Sequence, residues 1–180
     1  SVTGSRTAVG SSPNAFSYTL NEGTKAENYT ITTQFGTLTV TAKSVETGTG
    51  MEVNDPTDYQ YDGAEHKWEP TVKDGEKTLV KGTDYTVAYD KSDFTNVTGT
   101  IKVTITGMGN YAGSVEKSYQ ITPAQLTVAT GSAQKTYDGT PLTNSELKIE
   151  GLVGDDAVTA RTTGSQTEGG SSANTYEITW

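Results

Sequence analysis

The chain has 180 residues, 32% of them hydrophobic, with 22 acidic against 13 basic side chains for a net charge of −9, and it has no cysteine. That composition excludes disulfides and thiol chemistry, and it offers no clustered Lys and Arg to hold nucleic-acid phosphates. No segment approaches the ~18 consecutive apolar residues of a membrane helix, so membrane insertion is not expected.

Threonine is the commonest residue, glycine is next, and serine, valine and tyrosine are well represented. Thr, Val and Tyr favour strands, whereas Gly and Ser favour turns. No long stretch carries apolar residues at helical spacing. The expectation is an all-β protein of small modules, each strand burying one face.

In chain order, the first feature is the phrase TGSRTAVGSSPN at Thr3, which returns as TGSQTEGGSSAN at Thr163. Thr3, Gly4, Ser5, Thr7, Gly10, Ser11, Ser12 and Asn14 recur at one constant offset of 160 residues (163 − 3). The register continues, with Phe16 and Tyr18 matching Tyr176 and Ile178, and Leu20 matching Trp180. Such self-similarity is the mark of a repeat architecture. At the matched positions Leu20 and Trp180 a core site is expected.

GTLTVTAKS, with Leu38 and Val40, comes next and returns as AQLTVATGS with Leu126 and Val128. Tyr61-Asp62-Gly63 returns as Tyr137-Asp138-Gly139. In this motif the ring is expected to pack the end of a core, the aspartate to accept backbone N–H groups in a turn, and the glycine to supply a positive φ. Strand alternation follows at Tyr85, Val87 and Tyr89, at Ile101, Val103 and Ile105, and at Val115, Tyr119 and Ile121. Between the last two runs, TGMGNYAG predicts a hairpin connection, with Gly107, Gly109 and Asn110 as candidates for positive φ.

The spacings 76 (139 − 63) and 88 (126 − 38) bracket a module of small-sandwich size. Residues 1–43 then read as the rear part of one module, 44–128 as a complete module, and 129–180 as the front part of a third. Two module types would alternate with a 160-residue period. A half sandwich exposes a sheet edge and an uncovered apolar face. The ends would therefore be completed by adjoining modules of a longer protein, or by identical chains joined head to tail through strand donation.

KTYDGTPLTNSELKIEGL and NYTITTQFGTLTV resemble the YDG/MBG-type bacterial Ig-like tandem repeats of Firmicutes cell-surface proteins. The middle stretch, with GTDYTVAY and GTIKVTITGMGNYAG, resembles a related repeat. The resemblance covers nearly the whole chain. It implies tandem Ig-like β-sandwich modules, elongated, with a β-grasp-like module as the alternative. It further implies an extracellular, wall-anchored stalk or fibre of a Gram-positive surface protein, with no catalytic residues to carry over. An adhesin module binding host glycan or protein is the alternative function.

No catalytic, cofactor-binding or metal residues are assigned. His66 is the single histidine, which leaves no His-rich metal site and no basis for a Ser-His-Asp triad. It is expected at the surface. Asp84, Asp90 and Asp93, and the pair Asp155 and Asp156, are the carboxylates that could offer calcium ligands, but neither set has the density of a calcium loop. Surface proteins of the resembled type sometimes carry a Lys–Asn/Asp isopeptide cross-link. Lys117 is the lysine that shares strand parity with apolar neighbours, but a long side chain near a strand end can reach water instead. Trp68, near Tyr59 and Tyr61 in sequence, would be the aromatic platform if the chain bound sugars; the bland expectation is a partly buried tryptophan at a module rim.

Overall fold

The computed structural model describes residues 1–46, 48 and 50–180. The protein is all-β, with fifteen strands and one short 3-10 turn, Ala26–Asn28, among the described residues. Two compact units interleave along the sequence: one comprises residues 1–56, 68–90 and 102–118, the other 57–67, 91–101 and 119–180. No helix among the described residues is long and apolar enough to cross a membrane.

The strands are β1 Gly10–Asn14, β2 Gly36–Val40, β3 Lys43–Ser44, β4 Met51–Val53, β5 Tyr59–Gln60, β6 Val72–Asp74, β7 Lys77–Thr78 and β8 Tyr85–Tyr89. They continue with β9 Thr100–Gly107, β10 Tyr111–Ala112, β11 Ser114–Thr122, β12 Thr127–Thr130, β13 Leu147–Glu150, β14 Thr159–Thr162 and β15 Tyr176–Thr179. The largest sheet has the order β5-β11-β9-β8, and a second runs β4-β6-β7.

The first unit holds most of the core. Val45, Val72, Val103 and Ile105 are fully buried, and Met51, Trp68, Leu79, Tyr85 and Tyr111 are nearly so. β8 pairs antiparallel with β9, Tyr85 opposite Gly107 and Tyr89 opposite Val103. The alternation read from the sequence is a burial alternation because one face of β9 meets the core and the other meets water. Each fully buried Ile or Val contributes roughly 1.5–3 kcal/mol. Two tyrosine hydroxyls bind the loop ahead of β6: Tyr85 Oη donates to the Pro70 carbonyl at 3.1 Å and Tyr89 Oη to the Trp68 carbonyl at 2.7 Å. Lys43 pairs with Asp74, which also accepts from Tyr111 Oη at 3.2 Å. The Lys43 ammonium, foremost, holds the Asp74 carboxyl below the usual carboxylate range.

The connection after β9 is tighter and busier than a simple hairpin loop. Tyr111 N–H closes a turn on the Met108 carbonyl at 3.1 Å, and Gly109 takes a positive φ of 68°. A Cβ on Gly107 would lie 2.7 Å from the Ala112 nitrogen, so this residue is a close-approach glycine and not a positive-φ one. Asn110 also differs from expectation, because no non-glycine residue among those described has a positive φ. Its role is in its polar atoms: its carbonyl accepts from Lys43 N–H at 3.0 Å, and its side-chain oxygen accepts from Val9 N–H at 3.0 Å. Asn110 therefore ties the loop to two distant segments. β10 uses the loop's far side to pair in parallel with β3.

The second unit has a smaller core of Phe94, Ile101, Tyr119 and Ile121. β5 lies parallel to the end of β11, with Tyr59 opposite Ile121. The Asp58 carboxylate fixes this register by accepting Gln120 N–H at 2.9 Å. Beyond β11 the strands come in antiparallel pairs, β12 with β13 and β14 with β15.

No described residue from 1 to 44 and none from 122 to 180 is buried. Two-stranded ribbons lack a covering layer, so their apolar side chains stay in contact with water. That overturns the core position expected at Leu20 and Trp180, which are 40% and 85% exposed. Phe16, Tyr18 and Phe35 likewise form an exposed aromatic group, with the Phe16 and Phe35 rings edge-on at 5.3 Å.

Candidate functional site

The phrase that occurs twice in the sequence folds into the same corner twice. In the first copy Val2 bridges Phe16 antiparallel, and the Thr3 and Gly4 N–H groups both donate to the Ala15 carbonyl, at 2.8 and 2.9 Å. In the second copy Thr162 pairs with Tyr176, and the Thr163 and Gly164 N–H groups both donate to the Thr175 carbonyl, at 2.7 and 3.3 Å. Every one of these positions differs by the offset of 160.

The glycines explain why the phrase recurs. A Cβ at Gly4 would stand 2.6 Å from the Ala15 nitrogen, and one at Gly164 would stand 2.4 Å from Asn174 Cα. Gly10 and Gly170 both take positive φ, 123° and 143°, which L side chains rarely adopt.

The copies part at their last five residues. In the first, Gly10–Asn14 is strand β1, paired antiparallel with β2 from Gly10 opposite Val40 to Asn14 opposite Gly36. Ser11 Oγ and Thr39 Oγ1 lie 3.0 Å apart across this pair. In the second, Gly170–Asn174 is no strand and instead forms one wall of a polar cleft of about 480 Å³. Gly131–Lys135 and Leu142–Asn144 also line it.

Asn174 anchors this cleft. Its Nδ2 donates to the carbonyls of Gly131 and Asn144, both at 3.0 Å, and its own carbonyl accepts from Thr130 Oγ1 at 2.7 Å. Its Oδ1 is shielded from solvent and has no partner. Leu142 and Gln166 exchange both backbone hydrogen bonds, at 2.8 and 3.1 Å, across the floor. Most of the lining is Gly, Ser, Thr, Gln and Asn, with Lys135 and Glu168 as the charged members. Such a surface offers hydrogen-bond donors and acceptors. Sequence reasoning missed Asn174 as an anchor, although its recurrence as Asn14 was visible.

The Tyr-Asp-Gly motif behaves alike at both sites in its turn and not in its ring. Asp62 Oδ1 accepts Ala64 N–H, and Asp138 Oδ1 accepts Thr140 N–H, both at 2.9 Å; Gly63 and Gly139 share a φ of 79°. Each aspartate also faces a side-chain nitrogen, His66 Nε2 at 2.7 Å for Asp62 and the Lys135 ammonium at 2.7 Å for Asp138. The Lys135 ammonium, then the Thr140 N–H and hydroxyl, hold the Asp138 carboxyl far below the usual carboxylate range. Asp62 is lowered chiefly by the Ala64 N–H and next by His66. The rings do not pack a core end: Tyr137 is 65% exposed, and Tyr61 donates to Asp156 Oδ2 at 3.0 Å. That hydrogen bond, foremost, raises the Tyr61 pKa.

The remaining residues singled out from the sequence have local duties. His66 is not a free surface side chain: it stacks on Tyr59 at 4.2 Å between ring centres, and its carbonyl accepts from Tyr119 Oη at 2.8 Å. Trp68 is 8% exposed and offers no open face for a sugar. Asp84 accepts Val80 N–H at 3.0 Å, Asp90 accepts Lys102 N–H at 2.7 Å, and Asp93 accepts Thr95 and Asn96 N–H at 2.9 Å. Among the described residues, no three acidic or histidine side chains gather as a metal site would need. Lys117 reaches out of β11 to an ion pair with Asp55 at 2.5 Å.

Compared with protein-family models, with curated proteins and with solved structures, the chain finds no match.

Proposed function

We propose that the chain is a non-enzymatic structural repeat: a spacer, stalk or fibre segment of a bacterial surface protein, built of small β modules that associate with their neighbours head to tail. The observation that carries this reading is the repeated phrase, whose two copies share glycine geometry, hydrogen bonds and antiparallel register at an offset of 160 residues. A sequence that returns to the same local structure is what stacking or tandem architectures require. The uncovered apolar side chains of residues 1–44 and 122–180 fit surfaces meant for neighbouring modules. The spans 1–43, 44–128 and 129–180 are the module boundaries that go with it.

An adhesin using an aromatic platform is disfavoured, because Trp68 is buried. Immunogold labelling of intact cells that produce the chain tests the proposal: label outside the envelope is expected, and label confined to the cytoplasm would overturn it.

A further inference from the structure

We infer that the cleft edge at Gly170–Asn174 is a docking site for strand β2 of a second copy of this chain, in the register that β2 already adopts against β1. This rests on the repeat reading above and names the contact it would use.

The first copy of the phrase shows what the second lacks. Gly10–Asn14 becomes a strand where β2 lies beside it. Gly170–Asn174 carries the same Gly-Ser-Ser-x-Asn pattern, yet no backbone-to-backbone hydrogen bond engages residues 170–173 among those described. An edge without backbone partners is a template for strand addition. Where β1 has Pro13 the second copy has Ala173, so no proline interrupts the edge. Asn174 holds this wall by its bonds to Gly131 and Asn144, so the edge is fixed before any strand arrives.

The aromatic residue beside the edge recurs too. Phe16 packs edge-on against Phe35, just ahead of β2. Tyr176 stands at the Phe16 position of the second copy and is 45% exposed. An incoming β2 would bring Phe35 to Tyr176, aromatic against aromatic as in the first copy. The register follows: Gly170 opposite Val40, Ser171 opposite Thr39, Ser172 opposite Leu38, Ala173 opposite Thr37 and Asn174 opposite Gly36 of the second copy. Because the incoming strand exchanges one such edge for its equivalent, the exchange is a low-cost swap that concentration can drive.

The chain has no cysteine, so cross-linking reads this directly. Ser171→Cys in one chain is mixed with Thr39→Cys in a second, mass-tagged chain and oxidised over a concentration series. The pair copies Ser11 and Thr39, whose side-chain oxygens are 3.0 Å apart. A disulfide between unlike chains is expected, its yield rising with concentration, and Ser171→Cys with Thr37→Cys should give several-fold less. A single chain carrying Ser11→Cys and Thr39→Cys should close an internal disulfide that ties β2 to β1, and then stay monomeric where the unmodified chain associates. Equal yields at positions 37 and 39, no cross-link between unlike chains, failure of the internal disulfide, or association of the locked chain would each overturn the inference. The labelling test of surface location is independent of all four.

Discussion

Asn174 and Asn144 are joined across thirty residues of sequence, the Nδ2 of the first donating to the carbonyl of the second at 3.0 Å. The same amide also reaches Gly131, so one side chain links the segment after Gly170 to the segments at Gly131 and Asn144. Where no apolar core lies underneath, such polar ties decide local stability. Asn174→Ala removes the donor from two part-buried carbonyls, a loss of about 0.5–1.5 kcal/mol per hydrogen bond. Amide hydrogen exchange should accelerate at Gly131, whose N–H is bonded to the Glu146 carbonyl at 3.0 Å, while β9 amides stay protected.

The two glycines of the repeated corner should be equally intolerant. Gly4→Ala and Gly164→Ala each force a Cβ to within 2.6 Å of backbone atoms, whereas Gly36→Ala meets nothing within 4 Å. Backbone cannot yield as a flexible side chain can, so both corner variants should lose their local hydrogen bonds. Loss of the paired amide protection at Thr3 and Thr163, with Gly36→Ala unchanged, is the expected exchange pattern.

Core and periphery should respond differently to truncation. Ile105 is fully buried on β9, and Ile105→Ala should cost about 2–5 kcal/mol in urea unfolding. Trp180 is 85% exposed, and Trp180→Ala should stay within about 0.5 kcal/mol of the parent despite removing the larger side chain.

Asp138 supplies the pH prediction. Its folded pKa lies below its unfolded one, so the turn's stabilisation is present above the ordinary carboxylate pKa of about 3.9 and is lost as pH falls through the depressed value. A carbon-detected titration should place the Asp138 midpoint below that of Asp62, and Lys135→Met should move it upward by removing the largest cause. An Asp138 midpoint unmoved by Lys135→Met would contradict the ion pair.

Much of the fold was legible because its signals are local. Ile101, Val103 and Ile105 alternate in sequence and are each fully buried, and the Asp-Gly turns at Asp62 and Asp138 form as their chemistry dictates. The repeated phrase was readable as a repeat, and its shared glycines carry the shared geometry. What escaped notice depends on distant partners. β3 and β10 are two residues each, too short for any alternation, and pair across more than sixty residues. Leu20, Trp180 and Tyr137 are apolar or aromatic and so suggested a core, but exposure depends on whether another layer covers them. Asn174 gave no local sign of its role because both its acceptors lie in a different segment.

The central claim is that the chain is a structural repeat with a 160-residue period, and its length in solution tests that most directly. Residues 1–160 joined to residues 1–180 make a tandem in which the second Ser1 falls where residue 161 would stand. Small-angle scattering should show the maximum dimension rising with each added 160-residue unit while the cross-sectional radius stays constant. A tandem that collapses to a single rounded particle, with the cross-section growing as units are added, would contradict the claim.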